Sequence, residues 1–410
     1  MLSDGSLAGT VYRRARRAGG VVYRGLQRLP AYAAERGLPP SWMGYSSVAE
    51  EAVADYASRC GVAASYETLE PAAIAENPLP CNVEKRDHLP RERGWWGYSF
   101  HDVPERRSGE TFIATVPDCR IFSFIQPGKN NYYPCILNPE DRALRLREMP
   151  FRAGHRDAIR NAAEPQRFKK ATWVLERVYH NHSHWLTAHL PKICLLKERG
   201  ALSDLLLPEQ RNAVIDDSLR MLGLDPDAFP TFDRDRPLEI DELTVLGTDR
   251  FRPELLRRVR AGIAGEDAVP QDKRVFISRA NSNGRQLLDE EEIWPLLEEA
   301  GFERVFMEDL TLAEQVELMR RTQVLLAPHG AGLTNMIFCQ PGTQIVELAD
   351  LGFPNPNFYA VASAMGHGYW LVPSEGVGDV HPLECDLRVG REPIRNVLRQ
   401  VESALGGRSG

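Results

Sequence analysis

The sequence predicts an α/β protein of two domains, the second built on a parallel sheet. Three observations carry that reading. From about residue 240, short apolar runs alternate with amphipathic segments of helical length, the pattern of right-handed βαβ units. Residues 323–348, QVLLAPHGAGLTNMIFCQPGTQIVEL, read as strand, small-residue loop, helix and strand. The 410 residues suffice for two ordinary hydrophobic cores.

In order along the chain, residues 1–45 form a basic, partly helical segment. Arg13, Arg14, Arg16, Arg17, Arg24 and Arg28 meet no acid beyond Asp4. Drawn as a helix, Leu7, Val11, Ala18, Val22, Leu26 and Leu29 share one side, which suits an anionic membrane surface. Gly19 and Gly20 weaken that helix, and a frayed basic tail packed on the protein is the equal alternative. The next domain, 46–235, opens with a helical stretch over 46–80. Residues 95–150 then carry aromatic and β-branched residues punctuated by Pro and Gly, a pattern of short strands and turns. Helical patterns return over 168–222, the last from Pro208 to Gly223, before a linker at DPDAFPTFDRDRP. Over 236–375 the strands are ELTVLG, RVFISR, RVFMED and QVLLA, with helices between them. One of these helices, LDEEEIWPLLEEAG, carries Pro295 in its first turns, and another opens on a Thr311–Glu314 capping box. Residues 376–410 supply a closing helix, PIRNVLRQVESAL, and a tail.

Composition narrows the class. With 43% apolar and 26% charged residues the chain reads as a soluble globular protein, and no apolar run approaches the ~20 residues of a membrane span. A net charge of −7 argues against a broad nucleic-acid surface. The seven cysteines are scattered singly, which fits reduced thiols and no structural zinc. The N-terminus lacks the apolar core of a secretory signal, so the expected compartment is the cytoplasm.

Ligands of open α/β sheets bind beyond the carboxyl ends of the strands. There, the turn His329, Gly330, Ala331, Gly332 leads into the helix-compatible Leu333, Thr334 and Asn335. Small residues let a backbone come close to a ligand, and a helix start attracts phosphate. This stretch therefore suits an anion such as a nucleotide diphosphate. Arg279 ends one strand and Arg285 follows in a flexible loop, and guanidinium forks suit phosphate oxygens, against the alternative of solvated surface arginines. Glu347 either accepts from ribose hydroxyls or is a buried acid paired with an arginine. His329 either donates to phosphate or orders the loop. His180, His182, His184 and His189 lie close together, but their spacing does not match a helical metal pair and no acid or cysteine adjoins them. No metal is expected. Trp95, Trp96, Tyr98, Tyr132 and Tyr133 are read as core rather than sugar platforms, and Phe353 and Phe358 as neighbours of a nucleotide base.

The motifs SRANSNGRQLLDEEE and LTLAEQVELMRRTQVLLAPHGAGLTNMIFCQPGTQIVEL resemble the C-terminal signature of glycosyltransferase family 61, and VYHNHSHWLTAHLPKI resembles its N-terminal segment. The resemblance covers about a quarter of the chain. It implies a GT-B-like architecture of two Rossmann-like domains facing a cleft, with the acceptor side in 46–235 and the nucleotide sugar in 236–375. It also implies inverting transfer, without cofactor, from a nucleotide-sugar donor to a hydroxyl of a glycan or lipid-linked glycan acceptor. By the same resemblance Arg279, Arg285 and the 329–335 turn line the donor site, and His184 serves acceptor-side chemistry. Where the family often has an acid, this chain has Ala188. The expected setting is bacterial capsular or surface polysaccharide synthesis at the inner face of the membrane. The rivals are a nucleotide-sugar epimerase or hydrolase of the same type and a non-catalytic glycan-binding scaffold.

Overall fold

A computed structural model describes residues 48–406 apart from 95, 127, 283, 382 and 383. The basic segment expected over 1–45, and Trp95, lie outside the described residues.

The first sheet is built around one long strand. Its strands are β1 (Glu50–Ala52), β2 (Ser65–Glu70), β3 (Thr111–Ile125), β4 (Tyr132–Leu137), β5 (Ala143–Arg145), β6 (Gln166–Trp173) and β7 (Leu238–Gly247). They lie in the order β1-β5-β4-β3-β7-β6, with β2 also paired to β3. β3 is antiparallel to β2, β4 and β7, and only the β1–β5 and β6–β7 pairs are parallel. The sheet is therefore mixed, and the expectation of a Rossmann-like first half is not met. The reason is local: turns, not helices, connect β3 to β5, and parallel strands need a crossover of a dozen or more residues.

Three segments differ from the sequence reading. Helix formation in 46–80 is confined to Val53–Cys60 and a following short turn, and Gly61, with φ of 60°, breaks the chain toward β2. Residues 166–173 form β6, not a helix. The helix expected from Pro208 starts at Ala213, where the Asn212 side chain accepts from Ile215 N at 3.2 Å. In addition, Leu238–Gly247, set by sequence at the head of the second half, lies in the first sheet, paired with β3 from Leu238–Ile121 to Gly247–Phe112.

The second sheet has the expected form. Its strands are β8 (Lys273–Ile277), β9 (Phe302–Val305), β10 (Thr322–Pro328), β11 (Gln344–Asp350), β12 (Gly368–Val377) and β13 (Asp386–Arg388), in the order β9-β8-β10-β11-β12-β13. All pairs but the last are parallel. Both faces are covered, and the central strands β10 and β11 are mostly apolar. In β10, Val324 and Leu326 pack with Ile293, Leu297, Ile394 and Val401 from helices Glu290–Glu299 and Arg391–Gly406. The alternate residues Leu325 and Ala327 face helices Pro253–Ala264, Leu312–Arg320 and Asn357–Met365. That second cluster runs on without a break into the core of the first sheet, through residues such as Trp173, Leu186 and Leu243.

Candidate active site

The order of the second sheet reverses between β8 and β10, and such switch points open a crevice beyond the strand ends. Arg279 lies two residues past β8, and the His329–Gly332 turn lies at the end of β10. The Arg279 guanidinium is anchored by Nε to Arg285 O at 3.1 Å and by Nη2 to Gly284 O at 3.0 Å. Its Nη1 lies against Gly330, where a Cβ would overlap it. Gly330 is extended, with φ of −178°, so glycine serves here to make room and not to relieve backbone strain. Burial lowers the Arg279 pKa, opposed by Glu308 and Asp386.

Arg285 holds a left-handed backbone, φ 56°, unusual for a residue with a Cβ. Its guanidinium has no acceptor among the described residues and lines a solvent-open cavity with His329, Asp350, Phe353 and Asn355. Burial, then the Arg279 charge, pushes its pKa down to about 10. Glu308, Asp386 and Glu384 partly offset the two adjacent guanidiniums, and the Arg285 N–H groups stay open to an arriving anion.

The turn is fixed from behind. His329 Nδ1 meets Glu347 Oε1 at 2.5 Å, and Tyr369 Oη donates to Glu347 Oε2 at 2.6 Å. Asn355 Oδ1 accepts from Asn357 N, which turns the Asn355 amide N–H to His329 Nε2 at 3.0 Å. The ring nitrogen facing Asn355 therefore accepts, and the imidazole proton sits on Nδ1. Phe358 packs on the ring at 4.8 Å between centroids. Of the readings the sequence left open, the geometry matches a loop-ordering histidine and a buried acid, its partner being histidine instead of arginine. Glu347 is fully buried with both oxygens engaged, so a ribose would find neither free.

Residues 331–338 wind as a 3-10 helix. Leu333, Thr334 and Asn335 are buried, and none of these side chains faces the crevice. Asn335 instead accepts from His182 Nε2 at 2.9 Å and donates to Gln315 Oε1 at 3.0 Å, tying the turn to the first half of the chain. The amides left for a ligand are those at the helix start, at half-exposed Ala331 and Gly332. Of the residues expected to hold an anion, the turn backbone and the two arginines are the ones left unengaged by the core.

His180, His182 and His184 do not share a strand face. His182 and His184 lie in a helical turn, and Trp185–His189 continues it with π-helical geometry. Among the described residues no three His, Cys, Asp or Glu side chains gather into a metal cluster. His184 has a buried Nδ1 without a partner, and burial, then the Arg250 and Arg177 charges, hold its pKa well below the ordinary histidine value. It is unprotonated at neutral pH. Ala188 is buried and presents nothing to the cleft.

Among acids that could serve as a base, Asp102 is tied to Arg93 and Ser99, and Glu308 is exposed near Arg279. Asp350, raised by burial, lines the cavity and was missed. Its signal was present, since it is the acid that ends the strand three residues after Glu347. Also missed were Arg106, Arg147, Glu148, Arg177 and Arg250, which line a second solvent-open cavity. Of the aromatics, Tyr132 is core as read, whereas Trp96 and Tyr98 line that second cavity.

Residues 182–346 match the family model described as Glycosyltransferase 61. The matched region is of domain size, about two fifths of the chain. It starts at His182 and so contains both partners of the His182–Asn335 bond, together with Arg279, Arg285 and the turn. The chain is similar to a beta-1,2-xylosyltransferase, XAX1, of Oryza sativa subsp. japonica, at 34% identity over 128 residues, 28% of this chain and 21% of that protein. It is also similar to the EGF domain-specific O-linked N-acetylglucosamine transferase of Drosophila melanogaster, at 34% identity over 90 residues, 21% of this chain and 17% of that protein. The similarity spans about a fifth of the length of each relative.

Proposed function

We propose that the chain is an inverting glycosyltransferase, moving a sugar from a nucleotide-sugar donor to a hydroxyl of a glycan. The observation that carries the reading is the pair Arg279 and Arg285, set against the Gly330–Gly332 turn at the switch point of a parallel sheet. A leaving diphosphate needs preorganised cations and N–H donors, and that is what this crevice offers. The glycosyltransferase 61 match and the two transferase relatives support the reading. The arrangement we propose is GT-B-like in function, with the donor on the second half and the acceptor on the first. His184, unprotonated beside the second cavity, is the proposed acceptor-side histidine, and the donor enters as substrate with no resident metal or cofactor. Both relatives are eukaryotic and lend no support to a capsular setting. The cytoplasmic, membrane-proximal location rests on the residue 1–45 sequence alone.

The test is donor turnover. Purified protein is incubated with uridine, guanosine, cytidine and thymidine sugar nucleotides, with and without glycan acceptors. Acceptor-dependent release of one nucleotide is expected. Release undiminished without any glycan points to the hydrolase or epimerase rival. If no nucleotide raises the melting temperature, the donor reading fails; saturation at 100 times Kd stabilises by about 2.7 kcal/mol.

A further inference from the structure

The second cavity lies in the first half, beyond the residues that would hold a donor. It is lined by Arg106, Arg147, Arg177 and Arg250, with Glu148 as its lining acid. Arg177 Nε pairs with Glu148 Oε2 at 2.5 Å, and Arg147 pairs with Asp249. Nearby Glu176 is matched by Lys192 and adds no net charge.

Arg106 and Arg250 have no carboxylate partner among the described residues, although they are only 5% and 8% exposed. Arg250 uses Nε and Nη2 on the neutral Thr187 hydroxyl, at 3.2 and 2.6 Å. Arg106 gives Nη1 to Ser108 Oγ and Nη2 to the carbonyl of Arg250, at 3.1 and 2.6 Å, and its buried Nε has no partner. Four guanidiniums thus face two carboxylates, a surplus of two positive charges in a partly dry cavity. Burying unpaired charge is costly unless the site exists to receive an anion.

Two further features mark the cavity as built. Next to Arg250, Phe251 holds a left-handed backbone at φ 64°, and its ring packs under both unpaired guanidiniums, at 4.8 Å from Arg250 and 5.7 Å from Arg106. Strain of this kind persists where the surroundings impose it. Tyr98 donates to Asn357 Oδ1 at 2.7 Å and its ring lies under the Arg106 guanidinium at 5.3 Å, while Trp96 forms part of the wall.

The position of the cavity gives it a role. Phe353 and Asn355 line the donor-side cavity, whereas Asn357, two residues on, lines this one. Trp96 bridges the wall, donating to Pro354 O at 3.0 Å and meeting the Phe353 ring edge-on at 6.2 Å.

We propose that this cavity is an acceptor subsite for an acidic sugar, taking a ring-borne oxyanion, carboxylate or phosphate ester, onto Arg106 and Arg250. The sugar face lies on the Trp96 side. The assignment as an acceptor subsite rests on the glycosyl-transfer reading; the existence of an anion site does not.

The test measures binding to the full chain by calorimetry. The probes are methyl glucuronide, glucose 6-phosphate and neutral methyl glucoside, with uridine diphosphate binding read in parallel. An acidic probe is expected to bind at least tenfold more tightly than the neutral one, more weakly at high salt, and the stronger of the uronide and the phosphate names the anion. Arg250→Gln is expected to lose that preference and keep nucleotide binding. Because the acidic-versus-neutral comparison is made on wild type, it stands even if the variant does not fold. Equal or absent binding of all three sugars, with nucleotide bound, overturns the inference and leaves the donor reading intact. Competition between nucleotide and acidic sugar, with both lost in Arg250→Gln, overturns it by assigning the cavity to the diphosphate. Acidic-sugar binding without any nucleotide binding supports the anion site and removes the donor reading.

Discussion

At the scale of single residues, the proposed donor-side crevice divides between side chains placed to meet a ligand and side chains that hold the turn. Arg285 is of the first kind. Arg285→Ala is expected to weaken nucleoside diphosphate binding ~10- to 100-fold, the range of a lost charge-assisted hydrogen bond, with little change in melting temperature of the ligand-free protein. Glu347 is of the second kind. Glu347→Gln leaves one oxygen to serve both His329 and Tyr369, so it is expected to cost ~1–3 kcal/mol in urea unfolding before it affects any ligand. A variant that binds nucleotide poorly at unchanged stability would instead restore the ribose role. Sequence alone reached Arg279, Arg285 and the glycine turn because they cluster in one stretch of chain at strand ends. It did not reach the arginine cavity, whose charged lining comes from four separated places, at 106, 147–148, 177 and 250. Nor did it separate ligand-facing from turn-holding residues. Thr334 and Asn335 look like phosphate ligands in the motif, yet the 3-10 winding turns both inward.

At the scale of elements, legibility followed burial. β10 and β11 were readable because both their faces are covered and most of their residues are apolar, Glu347 and Asp350 being the acids among them. The Thr311–Glu314 capping box forms as read, with Thr311 N donating to Glu314 Oε2 at 2.8 Å. β2 was unreadable because SYETLE pairs on one side of β3 with little burial, and nothing in its own side chains opposes a helix. The open side of β12 shows how the halves join. Cys81 N donates to Tyr369 O at 2.7 Å, while the Asn82 amide receives Leu371 N and donates to Leu371 O, at 3.1 and 2.8 Å. One side chain thus imitates a strand neighbour and closes an edge that would otherwise recruit another chain. Asn82→Ala is expected to speed hydrogen exchange at the Leu371 amide and to cost ~1–3 kcal/mol. Two buried histidines set a pH limit on element packing. His155 Nε2 donates to Tyr133 O while Nδ1 accepts from Arg152 N, His367 Nε2 donates to Met336 O, and burial lowers both pKa values to about 4. The unfolded chain takes up these protons near pH 6.5, the folded chain only near 4. Stability is therefore full above 6.5 and falls between 6.5 and 4, by on the order of 3 kcal/mol per histidine. Urea midpoints that stay flat across that window would refute this.

At the scale of the whole molecule, the two sheets share one continuous core, and helix Pro253–Ala264 packs against elements of both halves. Heating is expected to give a single calorimetric transition, with the van't Hoff and calorimetric enthalpies equal; two resolved peaks would mean that the halves unfold separately. The closure of the first sheet has a consequence for how the protein is made. β3 emerges early in synthesis, yet the strand that covers one whole side of it, β7, ends at Gly247. Until then the nascent chain carries a 15-residue strand with an open ladder of amides and carbonyls. A ribosome adding ~5–20 residues per second leaves that edge uncovered for several seconds, the interval in which unpaired strands find wrong partners. A polypeptide released at residue 235 never closes it at all. Such a fragment is expected to pellet, whereas one that includes β7 retains the partner that β3 requires.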